Sequence, residues 1–210
     1  MALLHRAELR PTKLDLLSTW LPGRRWYPAP AAADLERVAT FRFDDPAGEV
    51  GIETLLVRAA GGPLVQVPLT YRATPLLGAD AWLVGTAHHS VLGDRWIYDA
   101  CADPVYAQAL ATAILTGATQ AEEYLDVGGQ PQPRPSSMSV RGTGTPGADV
   151  PAVTAITDVT DADPTQVHTA AIDLTIPRLP PLAPSDEPLV LTATWPGQPT
   201  PVPLAEAHPR

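Results

Sequence analysis

The sequence predicts an α+β fold: an antiparallel sheet packed with helices, followed by a small, mainly antiparallel β subdomain. Two segments with helical spacing flank several alternating apolar segments of strand length in the first 126 residues. Proline then becomes frequent, since sixteen of the 25 prolines lie in residues 131–210, between short β-branched segments. The hydrophobic fraction of 45% is ordinary for a globular protein and supplies the apolar residues for a core.

The first predicted element is a helix that begins after Thr12. The Thr12 hydroxyl can accept a hydrogen bond from a free backbone N–H group of the first turn, and Asp15 suits the positive end of the helix. Leucines then recur at helical spacing, at positions 14, 17 and 21. Pro22 and Gly23 end this pattern, so the helix is expected to stop there.

Five strands are predicted in the middle of the first part. They are expected at residues 41–44, 50–58, 64–72, 81–88 and 95–99. Phe41 and Phe43 alternate with polar residues, and the last two segments are typical of a hairpin around Gly93. Pro68 cannot donate a backbone hydrogen bond, so its strand is expected to lie at a sheet edge or to carry a bulge.

Two further helices are predicted at the end of the first part. Asp103 and Pro104 form a strong helix start, because an aspartate cap precedes a proline at the first helical position. Gly117 is the expected end of that helix. A short helix is expected from Thr119, because Glu122 three residues later completes a capping-box pattern.

Residues 127–137 separate the two parts. Their proline, glycine and polar composition is typical of a linker. We therefore expect an α+β domain at 1–126, a β-rich subdomain at 138–204 and a frayed tail at 205–210. Strands of the subdomain are expected at residues 139–141, 152–160, 168–176 and 189–195.

Composition limits the partners and the compartment. The net charge is −9, so the chain has few cations with which to displace phosphate counterions, and we expect no nucleic-acid partner. Cys101 is the single cysteine, which excludes an intramolecular disulfide. Residues 1–10 lack the uninterrupted apolar stretch of a signal peptide, and no segment has the length of a membrane span. We expect a cytoplasmic protein that does not bind membranes.

Several motifs of the first part occur in a characteristic order. They are Trp20-Leu21 with Arg25-Trp26-Tyr27, residues 67–72 (VPLTYR), residues 89–99 (HSVLGDRWIYD) and Asp103-Pro104. In content, order and spacing these motifs resemble the N-terminal cap of actinobacterial maltokinases, which phosphorylate maltose on the route to α-glucan. The resemblance covers residues 10–125 and is closer still to standalone cap-like proteins. Ala100 is a departure, because the family pattern has glycine there.

The resemblance implies a fold and a relation to a kinase. It implies an α+β cap with a curled antiparallel sheet, followed at 138–204 by a degenerate form of the kinase's intermediate subdomain. Gly142, Gly144 and Gly147 match a glycine-loop pattern, but the bare pattern is weak and an ordinary turn explains it better. Lys13 is the single lysine, so no phosphate-binding lysine follows the loop. We therefore expect no catalytic residues, no cofactor and no metal.

The aromatic residues of the first part permit two interpretations. Trp and Tyr side chains most often form the core of a small domain, but they can also stack on sugars or partner proteins. Trp26 and Tyr27 are the pair expected to lie exposed in a loop, while Trp96 and Tyr98 share a strand face. The candidate ligand or partner surface comprises Arg25, Trp26, Tyr27, Arg72, Arg95, Trp96 and Asp99.

Three functions are open from the sequence. The preferred one is a non-catalytic binding or regulatory module of maltose, trehalose or α-glucan (glycogen) metabolism, which associates with itself or with enzymes of that metabolism. The family resemblance alone motivates it. The first alternative is a carbohydrate-binding protein that uses surface aromatics. The second is a nucleotide-binding remnant of a sugar kinase, without turnover, at Gly142, Gly144 and Gly147.

Overall fold

The computed structural model describes residues 2–4, 8–28, 34–127, 130–181 and 188–210, with backbone only at 2–4 and 125–127. These residues form mostly antiparallel β-structure with two α-helices. The elements in chain order are β1 (Ala2–Leu4), β2 (Leu9–Arg10), α1 (Lys13–Trp20), β3 (Leu35–Phe43), β4 (Gly51–Ala59), β5 (Leu64–Arg72), β6 (Leu83–His89), β7 (Gly93–Asp99), α2 (Pro104–Thr116), β8 (Glu123–Val127), β9 (Gln130–Arg134), β10 (Ser139–Gly142), β11 (Ile156–Val159), β12 (Thr165–Thr169), β13 (Ile172–Ile176), β14 (Val190–Trp195) and β15 (Gln198–Pro209).

The first sheet is a curled, six-stranded antiparallel sheet in the order β2-β6-β7-β5-β4-β3. The predicted hairpin is present, because β6 pairs with β7 from Leu83 to His89. Helix α1 begins at the predicted cap: the Thr12 hydroxyl accepts from the Asp15 N–H group, and the Asp15 carboxylate accepts from the Thr12 N–H group. This capping box fixes the start of α1 on one face of the sheet.

Strand alternation gives the first sheet two apolar faces. On β4, Leu55 and Val57 pack with α1, while Ile52 and Leu56 lie in a second core on the opposite face. Alternate residues of a strand point to opposite faces, and residues 52–57 of β4 are all buried, so this strand is covered on both faces. The first sheet is therefore the middle layer of this part of the molecule.

The second half of the chain forms another antiparallel sheet, in the order β10-β14-β15-β13-β12-β11. Its apolar residues, including Leu174 and Leu191, share one buried cluster with α2 and with Phe41 of the first sheet. Helix α2 has the predicted Asp103 cap and ends at Gly117 in the left-handed conformation. A third sheet contains β8 between β1 and β9.

The helical content is lower than the sequence predicts. The prediction of an antiparallel sheet packed with helices overstates the helical content, since the described residues contain α-helices of only 8 and 13 residues. The short helix expected from Thr119 is replaced by a β-bridge between Thr119 and Arg141. Next to this bridge, the Gly142 N–H group donates to the Ala118 carbonyl, so the backbone after α2 is engaged in strand-like pairing.

Two segments expected to be irregular are strands. Residues 130–134, inside the expected linker, form β9 and pair with β8, and residues 205–209, expected as a tail, belong to β15. Ala205 and Ala207 are buried, so apolar packing holds the end of the chain. The segment expected as one strand at 168–176 is divided between β12 and β13.

Prolines in strands mark places where a neighbouring strand is missing. Pro68 lies inside the sheet rather than at its edge, but β7 pairs only with Leu69–Arg72, so Pro68 lies just outside that ladder. In β9, an edge strand, Pro131 and Pro133 occupy alternate positions. Because a proline cannot donate to a ladder, these positions suit unpaired backbone.

Candidate functional site

The seven residues of the predicted surface do not lie in one place. Trp26 and Asp99 are buried where the two sheets meet, Arg72 lies next to the start of α2, and Arg95 and Trp96 line an open cleft. The remaining two are Arg25, which is exposed, and Tyr27, which is half-buried. Each place therefore has its own chemistry.

Arg178 joins the two sheets through a fully buried ion pair. Its Nη2 donates to Asp99 Oδ2 at 2.6 Å, and its Nε donates to Thr165 Oγ1 at 2.7 Å. The guanidinium carbon lies 4.8 Å from the centre of the Trp26 ring. Burial opposes the charge, but the Asp99 carboxylate outweighs it and raises the pKa of Arg178. Arg178 is therefore a charged group that fixes one sheet against the other.

Trp26 is buried in this junction, in contrast to the exposed position that the sequence predicts. Its side chain is 7% exposed, and its Nε1 donates to Asp161 Oδ1 at 2.8 Å. The ring lies edge-on to Trp20, with ring centres 6.2 Å apart. The indole therefore contributes buried apolar area and one hydrogen bond between the sheets, rather than a sugar-stacking face.

Arg72 forms a bidentate ion pair with Asp103. Its Nε and Nη2 each donate to one Asp103 carboxylate oxygen at 2.7 Å. Asp103 also accepts from the Val105 N–H group as the cap of α2, so one carboxylate holds both the strand and the helix. Planar Arg–carboxylate pairs of this kind fix orientation. The role of this pair is to position α2 against the end of β5.

A buried polar cluster around Glu53 lies under α1. Glu53 is 2% exposed and accepts from Lys13 Nζ at 2.5 Å and from the Tyr71 hydroxyl at 2.8 Å, with Arg42 Nη2 at 3.1 Å. Burial alone would raise the pKa of Glu53, but Arg42 and Lys13 lower it to about 2. Burial lowers the pKa of Lys13. The single lysine of the chain is thus part of an internal salt bridge.

The glycine-loop motif packs against the C-terminal end of α2. A Cβ atom on Gly142 would lie 2.0 Å from the Ala113 carbonyl oxygen, and one on Gly144 would lie 2.0 Å from the Leu115 carbonyl oxygen. The N–H groups of residues 142–144 donate to protein carbonyls. This end of a helix carries partial negative charge, which disfavours phosphate. Close packing therefore accounts for Gly142 and Gly144; Gly147 lies in an exposed turn.

An open cleft of about 580 Å³ runs along α2, and we call it the α2 cleft. Val105, Ala109 and Val153 give it an apolar wall, and the exposed carboxylates of Asp44 and Glu122 also line it. Two of its lining residues are joined by a hydrogen bond, which the Val153 N–H group donates to Gln108 Oε1. The acidic residues that line this cleft are Asp44, Asp45 and Glu122. The described lining residues include no Lys or Arg.

Comparison with known protein families gives a match that covers most of the first sheet. Residues 20–103 match the maltokinase N-terminal cap domain. Over these residues the chain is similar to that family. The match runs from the end of α1 through β7 to the Asp103 cap of α2, and it includes Trp26, Arg72 and Asp99. No curated protein matches the chain significantly.

The matched region, residues 20–103, holds one half of the junction between the two sheets. Asp99 and Trp26 belong to it, while their partners Arg178 and Asp161 come from the second half of the chain. Across the described residues, no three His, Cys, Asp or Glu side chains form a group that could hold a metal ion. In the same residues, no helix has the length and apolarity needed to cross a membrane.

Sequence reasoning missed two charged centres. Glu53 had a signal, because it shares one face of its strand with the apolar residues Leu55 and Val57. Arg178 had none, since its partner Asp99 is 79 residues away and nothing local indicates burial. Of the predicted surface, the structure brings together Trp26 with Asp99 and Arg95 with Trp96, and it places Arg72 on β5 directly opposite Trp96 on β7. These residues do not form one surface, since Trp26 and Asp99 are buried.

Proposed function

We propose that this chain is a non-catalytic binding module of maltose, trehalose or α-glucan metabolism, which docks an enzyme of that metabolism in the α2 cleft. A maltokinase-type cap domain points to maltose and trehalose metabolism. The α2 cleft carries the proposal of docking, because it is open, largely apolar in its wall and formed in part by residues outside the matched cap region.

The internal use of the motif residues supports a structural role for the charges of the cap. Arg72 is bonded to Asp103 and Asp99 to Arg178, so these charges hold the fold together. The glycine loop is packed against α2, and the single lysine is paired with Glu53. These contacts engage the motif residues within the fold, which supports our proposal that they have a structural role.

The chemistry of the α2 cleft indicates the kind of segment that would dock there. The apolar wall suits an aliphatic side chain, and three carboxylates around it suit Lys or Arg residues flanking that side chain. A volume of about 580 Å³ is within the range of about 300–1,000 Å³ typical of binding pockets. We therefore propose a basic, amphipathic segment of the partner enzyme as the occupant.

Affinity capture from the native host tests the proposal. The wild-type chain is expected to retain an enzyme of maltose, trehalose or α-glucan metabolism. Ala109→Arg, which places a bulky cation in the α2 cleft, is expected to lose it. Ala148→Arg, at an exposed turn position, is the matched control and should retain the enzyme. Thermal melts confirm that both variants fold. Capture of no such enzyme, or equal capture by Ala109→Arg, would contradict the proposal.

A further inference from the structure

A second cleft lies on the first sheet, where β2, β6 and β7 are neighbours. It has a volume of about 380 Å³, and we call it the Trp96 cleft. Trp96 is half-buried, whereas its neighbour Ile97 on the other face belongs to the core beneath α1. Among the described residues, the two core clusters and the side chains packed on them do not include Trp96. The Trp96 indole therefore keeps exposed surface that a ligand can contact.

Strand register places polar side chains around this indole. Thr86 on β6 lies directly opposite Trp96 on β7, and His88 lies directly opposite Asp94. Arg10 on β2 is in turn paired with His88. Directly opposed residues of antiparallel strands share a face, with Cβ atoms about 4.5–5.5 Å apart. The backbone ladder therefore holds one aromatic ring beside a row of polar groups.

The polar groups combine donors and acceptors with nearly balanced charge. His88 Nδ1 and Asp94 Oδ1 are 2.8 Å apart and both side chains are mostly exposed. The charge of Arg10 is balanced by Glu8, and Arg95 Nη1 donates to the Asp94 carbonyl. Such a set suits a neutral ligand with many hydroxyl groups better than an anion, because each hydroxyl both donates and accepts.

We propose that the Trp96 cleft binds a neutral saccharide of one or two sugar rings. The Trp96 indole packs against the apolar face of a sugar ring, while the Asp94 carboxylate and the Thr86 hydroxyl hydrogen-bond its hydroxyl groups. The volume of about 380 Å³ lies at the small end of the range of about 300–1,000 Å³ for ligand sites. This binding is separate from docking in the α2 cleft, since the two clefts share no lining residue.

Calorimetry and tryptophan fluorescence of the full chain test the proposal. Titration with maltose, trehalose and glucose is expected to give heat and a fluorescence change for at least one of them. Asp94→Ala removes a charged hydrogen-bond partner and is expected to weaken that binding about tenfold. Asp94 is exposed, so the fold should not change. Asp149→Ala, an exposed carboxylate outside the cleft, is the matched control and should bind as the wild type does.

The contrary results are equally specific. No heat and no fluorescence change up to about 10 mM sugar would overturn the proposal. So would saccharide binding that Asp94→Ala and Trp96→Phe leave unchanged, or tighter binding of inorganic phosphate than of any saccharide. The Ala109→Arg variant separates the two proposals, because it should retain saccharide binding even where enzyme docking is lost.

Discussion

The buried charged side chains make the stability of this fold sensitive to single substitutions. The Arg178 and Asp99 side chains are both fully buried, and among the described residues Arg178 Nη1 has no hydrogen-bond partner. A buried ion pair is costly to form, and removing one partner leaves an uncompensated charge. The pair therefore acts less as a source of net stability than as a constraint on how the two sheets fit.

Asp99→Asn tests this constraint. The substitution keeps the shape of the side chain but leaves the Arg178 guanidinium without its counter-charge, so the free energy of unfolding should fall by about 3–5 kcal/mol. Urea denaturation measures the loss. Asp94→Asn, at an exposed carboxylate, should change stability by less than about 0.5 kcal/mol. Equal stability of the two variants would contradict the account of the junction.

The lowered pKa of Glu53 predicts that the fold loses stability in acid. Its pKa is about 2 in the folded chain and 4.5 when unperturbed, so the ionised form stabilises the fold. This contribution is fully present above pH 4.5 and is lost as the pH falls towards 2. It amounts to about 3 kcal/mol. Equilibrium denaturation at a series of pH values measures it.

The Glu53→Gln variant provides the comparison for this pH dependence. A glutamine cannot ionise, so its stability curve should be flatter than that of the wild type between about pH 5 and pH 2, by about 3 kcal/mol. At neutral pH the variant should be less stable, because Lys13 and Arg42 lose their counter-charge. Parallel curves for the two proteins would show that Glu53 does not titrate as described.

At the scale of elements, the close approach of a loop to α2 makes two glycines irreplaceable. Gly144→Ala would place a methyl group 2.0 Å from the Leu115 carbonyl oxygen, so the backbone must shift. We expect a loss of about 2 kcal/mol or more. Gly23→Ala is the control, because an added Cβ there would meet no atom within 4 Å and the backbone is outside the left-handed region. Thermal melts of the two variants should differ clearly; similar melting temperatures would contradict the packing role.

Alternate prolines on the edge strand β9 protect the sheet against further pairing. Since β9 pairs with β8 along its length, the missing N–H groups of Pro131 and Pro133 belong to the unpaired side. Replacing both prolines with threonine should restore two outward donors and increase self-association. Size-exclusion chromatography of the variant and the wild type at matched concentrations measures this self-association. An unchanged profile would show that the prolines have no protective role.

The elements show how far local sequence reasoning reaches in this chain. Caps and stops are local chemistry, so the starts of α1 at Thr12 and α2 at Asp103 and the hairpin around Gly93 were predictable. The prolines of β9 predict a linker instead of a strand, because composition does not distinguish a loop from an edge strand. The helix expected at Thr119 is replaced by a β-bridge with Arg141, a contact that only tertiary pairing supplies.

At the scale of the whole molecule, the first and second sheets share buried structure. The apolar cluster that contains Phe41 also contains Leu174 and Leu191, and Gln66 of the first sheet donates to the Pro177 and Leu204 carbonyls. The sequence could not predict this union, because the Gln66 contacts join residues 111 and 138 positions apart. We therefore propose that the two parts unfold as one cooperative unit.

Scanning calorimetry tests the cooperative unit. A single transition is expected for the wild type, with a calorimetric enthalpy equal to the van't Hoff enthalpy. Asp99→Asn should lower the temperature of that whole transition. Two resolved transitions, of which Asp99→Asn shifts one only, would contradict the proposal and support independent domains.

Hydrogen exchange on the complex with the captured enzyme tests docking in the α2 cleft most directly. On binding, backbone amides of α2 and of the loop at residues 44–46 should gain protection, while those of β6 and β7 around the Trp96 cleft should not change. The Ala109→Arg variant mixed with the same enzyme should show no protection. Protection confined to another surface, or none at all in α2, would contradict the central proposal that this chain works by binding an enzyme there.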